Sequence, residues 1–391
     1  MFVHEFTIDF QRIRLVFHLK TWYDHYMSDA FDQLVYRRAW VGLDGFVDKI
    51  IQPIQERLGL GERFVPYARL SDFGEKIKQA SGANLNIELY TTTEKMGGNG
   101  PLMANMLANL GVSVEYVGAL GSPIHPVFKD FAKKAKVVSI ASFGESQALE
   151  FQDGKLILGH TQALDSITYE CITQHISEEA LIKSYNEADL ISFQNWTMTM
   201  HLTDILQRVL HNIWQKLDNH KQRICFFDLA DPAKRSKEDV KTLLKLLSKF
   251  KSKAKVFLGV NRSEALYIGK LMRCSTIDDN CYPDYREYLQ KLRNILDIDG
   301  VIMHCRDGAW ASVDGKVAFA PPQKAKQLTC LTGSGDHFNG GMLCGFLMHL
   351  SLEQCLILGH ITSVLYIETG QTPSLPAVRS LYQKVYPQEA S

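Results

Sequence analysis

Leu190-Ile191-Ser192-Phe193, Ile224-Cys225-Phe226-Phe227-Asp228-Leu229 and Val256-Phe257-Leu258-Gly259 are three short apolar runs, separated by the helix-like segments Leu202–Leu217 and Lys237–Phe250. Short apolar runs alternating with amphipathic segments predict βαβ units and a mostly parallel sheet covered on both faces. The rhythm continues through Gly300–Met303, then Ala309–Val313 and Val317–Ala320 around the Asp314-Gly315 turn, and ends in helix-like Ser334–Leu350 and Leu352–Glu368. Upstream, Ala39–Leu43 reads as a strand closed by Gly42 and Gly45, followed by a helix-like segment to Leu58. Pro101–Leu110 reads as a helix capped by Gly111, and Ser113–Gly118 as a strand.

Two patches, 62–95 and 143–159, break this rhythm. Asn84–Tyr90 alternates like a half-exposed strand, and the apolar runs on either side of Gln152-Asp153-Gly154-Lys155 signal a hairpin, because Asp and Gly tolerate positive φ. These patches are expected to form a separate flap. Residues 1–38 stand apart as an N-terminal extension.

Composition bounds the function classes. The chain has 391 residues, 46% hydrophobic and 22% charged, which is ordinary globular composition. Lys+Arg and Asp+Glu are both 43, so no global electrostatic case exists for nucleic acid or anionic lipid. The lysines at 237, 241, 245 and 249 read as the solvated face of one helix. No apolar run approaches the ~20 residues that span a bilayer. The opening Met1-Phe2-Val3-His4-Glu5-Phe6 lacks a signal-peptide pattern, and the eight cysteines form no C-x-x-C pair. A reduced cytoplasmic protein is the expectation.

Four segments could carry chemistry. In Leu331-Thr332-Gly333-Ser334-Gly335-Asp336-His337-Phe338, two glycines around a serine open a helix. The first N–H groups of a helix lack intrahelical partners and sit at the positive end of its dipole, which suits the charge on a transferring phosphoryl group. Asp336 in that first turn could take a hydroxyl proton, or simply complement the dipole. Met96-Gly97-Gly98-Asn99-Gly100-Pro101 permits close approach to a polar ligand, but matches neither a dinucleotide fingerprint nor a P-loop. Asp44 and Asp48 follow the first strand, where open α/β sheets bind ligands; capping is the plain alternative. Asn261 and Glu264 share a face after a later strand and could organise hydrated Mg²⁺, or form a cap.

These segments, in this order, resemble the ribokinase-like (PfkB) family of carbohydrate kinases over roughly residues 39–375. Gly333-Ser334-Gly335-Asp336 is similar to its G-A-G-D signature, followed in weight by Gly97-Gly98-Asn99 and Asn261-x-x-Glu264. The resemblance implies an α/β, three-layer α/β/α domain over 39–391, with a mainly parallel central sheet and a small β-lid drawn from about 62–95 and 143–159. It implies Asp336 as the base, and the N–H groups of Gly333, Ser334 and Gly335 as an anion hole. Gly98, Asn99 and Asp48 would face the sugar, with Asp44 as the alternative to Asp48 and Glu150 as a further candidate. Asn261 and Glu264 would organise Mg²⁺ through water and the phosphates of ATP, with Asp307 and Gly308 on the nucleotide side.

Two departures stand out. Cys330-Leu331 replaces the family's usual Asp-Thr, which speaks against activation by potassium or another monovalent cation. His304-Cys305-Arg306 replaces its Thr-x-Gly nucleotide segment. The resulting expectation is a cytoplasmic kinase that phosphorylates a hydroxyl of a sugar or sugar-like molecule with Mg-ATP. It would not partner nucleic acid or membrane, and could form a homodimer through its lid. A non-catalytic sugar or nucleotide sensor and a nucleoside kinase are the alternatives.

Overall fold

The alternation of short apolar runs does produce a large central sheet. A computed structural model describes residues 30–274 and 285–385. Its strands, in chain order, are β1 (Arg38–Leu43), β2 (Phe46–Arg57), β3 (Phe64–Pro66), β4 (Leu89–Gly97), β5 (Ser113–Gly118), β6 (Lys136–Ser139) and β7 (Gly144–Phe151). There follow β8 (Gly154–His160), β9 (Leu190–Phe193), β10 (Ile224–Asp228), β11 (Lys255–Asn261), β12 (Gly300–Cys305), β13 (Gly308–Val313) and β14 (Lys316–Ala320). The large sheet has nine strands in the order β14-β13-β12-β11-β10-β9-β1-β5-β6. From β12 to β6 every pairing is parallel, and β13 and β14 extend one edge antiparallel.

Strand periodicity sorts side chains into two cores. Trp40, Phe227, Leu258 and Val301 face one helical layer, containing Leu206, Leu244 and Leu289. Their neighbours Val41, Phe226, Phe257 and Ile302 face the other, with Met106, Phe338, Met342 and Leu358. Fully burying each such side chain contributes about 1.5–3 kcal/mol. The stack of Phe227 on Phe193, with centroids 5.6 Å apart, ties β10 to β9. On the helix Lys237–Leu247, Val240, Leu243, Leu244, Leu246 and Leu247 are buried, so the lysine stripe is its solvated side.

A second sheet orders β3-β2-β7-β8, with β4 also paired to β2. Here three readings need correction. Phe46–Arg57, read as helix-like, is the long central strand of this sheet. Its apolar spacing imitates a helix, but Pro53 and the β-branched Val47, Ile50, Ile51 and Ile54 disfavour one. The strand expected at Asn84–Tyr90 instead begins at Leu89 and runs to Gly97. Residues 30–38 also do not stand apart: Ala30, Phe31 and Leu34 are buried in the second core, and Phe31 meets Tyr382 edge-on at 6.2 Å. The rest of the extension lies outside the described residues.

The carboxyl ends of β1, β9, β10 and β11 open at one rim of the parallel sheet. The helices Asn99–Asn109 and Ser334–Leu347 aim their N-termini there. No helix among the described residues is long and apolar enough to cross a membrane.

Candidate active site

The Gly333 turn is forced into its shape by backbone geometry. Gly333 has φ +92° and caps the helix Ser334–Leu347 without a side-chain cap. A Cβ there would lie 2.8 Å from Leu102 Cδ1, so both conformation and space require glycine. The carbonyl of Gly333 accepts from His337 Nδ1 at 2.7 Å, and the His337 ring stacks on Tyr366 with centroids 3.8 Å apart. The Ser334 N–H donates to Leu331 O at 3.2 Å, so of the expected anion donors this one already has a partner. First-turn N–H groups beyond it have no intrahelical acceptor.

Asp336, 8% exposed, sits in that first turn, and its Oδ1 accepts from Asn99 Nδ2 at 2.8 Å. Burial, then the charges of Asp228 and Asp44, hold its carboxyl well above the usual carboxylate range. Asn99 is itself positioned by Asp44, whose carboxylate accepts from Asn99 N at 3.0 Å, Gly100 N at 2.8 Å and Asn195 Nδ2 at 2.8 Å. Asp44 is fully buried and occupied by these donors, so it is not open to a sugar. It caps the helix Asn99–Asn109 from outside, which is the plain alternative the sequence left open.

Asp48 differs. It projects from β2, hydrogen-bonds Ser146 on β7, and has its carboxyl raised by burial despite the positive charges of Lys95 and Lys155. A Cβ on Gly97 would lie 2.4 Å from Asp48 Oδ1, and one on Gly100 2.7 Å from Asp44 Oδ1. The glycines therefore make room for the protein's own two carboxylates. Gly98, at φ +93°, packs between Asp44 and Phe46. Glu150 is not among the groups brought together: it lies further along β7, is exposed, and pairs with Lys155 Nζ at 3.1 Å.

On the other side of the turn is a cavity of about 390 Å³, lined by Ser334, Gly335, Asn261, Arg262, Arg306 and His304, among others. A Cβ on Gly335 would lie 3.0 Å from His304 Cε1. Asp307 and Gly308, expected on the nucleotide side, do not line this cavity; Asp307 lies in the turn after β12 and Gly308 opens β13. Arg306 beside them does line it. Asn261 and Glu264 form a reciprocal cap, with Glu264 N donating to Asn261 Oδ1 at 2.9 Å and Asn261 N to Glu264 Oε2 at 2.8 Å. Burial, and then the charge of Asp228, push the Glu264 carboxyl up to about 8.

Asp228, at the carboxyl end of β10, accepts from Ala230 N and Asn339 Nδ2, both at 2.8 Å. Burial foremost raises it to about 6. Asn339 Oδ1 is buried without a hydrogen-bond partner among the described residues. These are hard oxygen donors carrying surplus negative charge, and they fit a hydrated divalent cation. No group of three or more His, Cys, Asp or Glu among the described residues forms a complete metal cage, so water would supply the remaining ligands. Asn195 and Ser146 were missed as well. Asn195 had a legible signal in its place just after a strand end, whereas Ser146 depends on a strand pairing that no local pattern announces.

A buried carboxylate in the first turn of a glycine-opened helix, beside a cavity lined by Arg262 and Arg306, brings together groups of the kind that phosphoryl transfer uses. Comparison with known proteins agrees. The family model for prokaryotic ketohexokinase matches residues 29–385. The ketohexokinase of Haloferax volcanii is 22% identical over 345 residues, covering 88% of this chain and 90% of that one. Among solved structures, the Methanocaldococcus jannaschii nucleoside kinase superposes with a TM-score of 0.58 at 14% identity, covering 89% of this chain and 98% of its own. The Cryptococcus neoformans ribokinase in complex with ADP gives 0.58 at 17% identity, covering 88% and 99%. The chain has the ribokinase fold and belongs to the prokaryotic ketohexokinase family, which makes it an ATP-dependent carbohydrate kinase.

Proposed function

We propose that the chain phosphorylates a hydroxyl of a ketohexose, with Asp336 as the proton acceptor. The observation that carries this reading is the 2.8 Å bond from Asn99 to Asp336 Oδ1, which fixes one carboxylate oxygen and leaves the other for substrate. In the transfer, the sugar oxygen attacks the γ-phosphorus and the bond from that phosphorus to the ADP oxygen breaks. The hydroxyl proton passes to Asp336. The raised proton affinity of this buried carboxyl favours that step. The N–H groups of Gly335 and its neighbours receive the negative oxygens of the phosphoryl group, at the positive end of the helix. Asp48 and Ser146 hold sugar hydroxyls from the second sheet, which acts as the lid. Arg262 and Arg306 face the nucleotide phosphates.

Mg²⁺, arriving with ATP, supplies charge neutralisation on the phosphates. Asn261, Glu264 and Asp228 would hold its water shell. A second copy of the chain completes the lid in this reading, because Ile157 and Leu158 on β8 are 51% and 43% exposed. The free thiols of the described cysteines accord with the cytoplasm, where ATP is available.

The test measures ADP and sugar phosphate formation from a panel of ketohexoses and aldoses with Mg-ATP. Product from a ketohexose is expected. In Asp336→Asn, turnover falls at least ~10²-fold while sugar binding persists. Near-normal turnover in that variant would remove the mechanism, and product from aldoses alone would remove the substrate assignment.

A further inference from the structure

The Gly333 turn lies between two cavities that share no lining residue. Gly335 packs on His304 of the nucleotide cavity. Gly333 packs on Leu102 and Tyr366, which line a separate cavity of about 340 Å³. Two lysines enter this second cavity, Lys95 from β4 and Lys134. Lys134 Nζ donates to Asn109 Oδ1 at 2.8 Å and Asn105 Oδ1 at 3.3 Å, and Lys95 Nζ to Cys330 Sγ at 2.9 Å. These acceptors are neutral amides and a sulfur, and neither ammonium forms an ion pair among the described residues. Of the two acids at the cavity, Glu94 is exposed, and Asp130 pairs with Lys133 and feels Lys134 more weakly; Lys95 also faces Asp48 across the β2–β4 pairing.

The cavity floor is polar and ordered. Asn105, 7% exposed, donates to Thr372 Oγ1 at 2.9 Å, and Thr372 Oγ1 lies 2.9 Å from His337 Nε2. Because Asn105 is the donor in the first bond, the threonine hydroxyl donates onward to His337 Nε2. His337 then carries its proton on Nδ1 and donates to Gly333 O at 2.7 Å. One chain of hydrogen bonds thus runs from this floor to the turn that receives the transferring phosphate.

We propose that this second cavity is an effector site for a small phosphorylated sugar or polyol. Its phosphate takes the ammonium groups of Lys95 and Lys134, and its hydroxyls take the amide of Gln371 and the rim carboxylate of Glu94. Concave sites of this size commonly hold small ligands, and charge-assisted bonds to phosphate are the strong ones. Its occupancy reaches the anion site through Asn105, Thr372 and His337. The effect on turnover rests on the kinase reading above; the binding does not.

Calorimetric titration of the full chain with glucose 6-phosphate tests it, with Mg-ADP saturating the nucleotide cavity and with glucose and inorganic phosphate as comparison probes. Binding of glucose 6-phosphate, and not of glucose, is expected. Lys134→Ala and Gln371→Ala alter exposed side chains and leave the melting temperature unchanged; Lys134→Ala weakens binding at least ~10-fold. Arg306→Ala, in the nucleotide cavity, leaves it intact. No binding, binding indifferent to both cavity variants, or binding lost in Arg306→Ala would each overturn the site. In wild type the phosphate shifts kcat, and in Lys134→Ala it does so only at correspondingly higher concentration. Binding without any change in kcat would overturn the coupling to the turn.

Discussion

Asn99 Nδ2 and Asp336 Oδ1 are 2.8 Å apart although 237 positions separate the residues in sequence. The bond joins the N-terminal turns of two helices that are seated independently, one by Asp44 and the other by the φ +92° of Gly333. On the proposed mechanism, Asn99 is therefore a positioning residue for Asp336. Removing its amide in Asn99→Ala leaves Asp336 free to rotate and lowers kcat about 10- to 100-fold, equivalent to the ~1.5–3 kcal/mol of a hydrogen bond to a charged group. Asn99→Asp adds a carboxylate beside Asp336 and moves the acidic limb of the kcat profile to higher pH. A merely structural role would lower the melting temperature and leave that limb in place.

Gly333→Ala tests the turn itself. The new methyl meets Leu102 Cδ1 at 2.8 Å and the backbone keeps a conformation that costs a non-glycine residue about 1–3 kcal/mol. Thermal unfolding should shift down accordingly. Turnover should fall further than the lost folded fraction accounts for, because the N–H groups proposed to receive the phosphoryl oxygens move with the turn.

Carboxylates gathered at one rim make stability depend on pH. Glu264 is raised from 4.5 to about 8, with burial the leading cause and Asp228 the next. A carboxyl raised on folding binds its proton more tightly in the native state. Its stabilising contribution is whole below pH 4.5 and is lost as pH climbs to about 8. The melting temperature of the ligand-free chain should decline across this window, and Glu264→Gln should flatten the decline. Added Mg²⁺ should raise the melting temperature more at the alkaline end, where the carboxylates are ionised. A slope unchanged in Glu264→Gln would remove the assignment of this group.

The parts of this fold legible in sequence are those set by local periodicity. Ile224–Asp228 and Lys255–Asn261 are apolar runs whichever partner they find, and Asp314-Gly315 turns a hairpin on its own chemistry. Phe46–Arg57 misled because its apolar spacing imitates a helix, and its Pro53, its β-branched residues and its pairing with β4 and β7 together decide for a strand. The site shows the same division. Gly333–Asp336 is contiguous and could be read. Asp44 and Asp48 could not be told apart, because their roles depend on glycines about fifty positions away that admit one carboxylate to a helix end and the other to the cleft. Glu150 and Asp307 looked plausible by position alone, but Glu150 pairs with Lys155 across its own hairpin and Asp307 sits exposed in the turn after β12.

That pair of acids gives the sharpest discrimination between scaffold and site. Asp44 receives two backbone N–H groups and one amide in full burial, so Asp44→Ala strands buried donors, each costing about 1–3 kcal/mol. The melting temperature should drop by several degrees, and sugar KM and kcat should both suffer as Asn99 loses its seat. Asp48 is held through one serine on the second sheet, with its carboxylate against Gly97 rather than bonded to a helix end. Asp48→Asn keeps its shape and should leave the melting temperature almost unchanged while raising KM for the sugar at least ~10-fold, with KM for ATP unaffected. Thermal unfolding and steady-state kinetics on the two variants separate the roles; a sugar KM that moves in Asp44→Ala alone would exchange them.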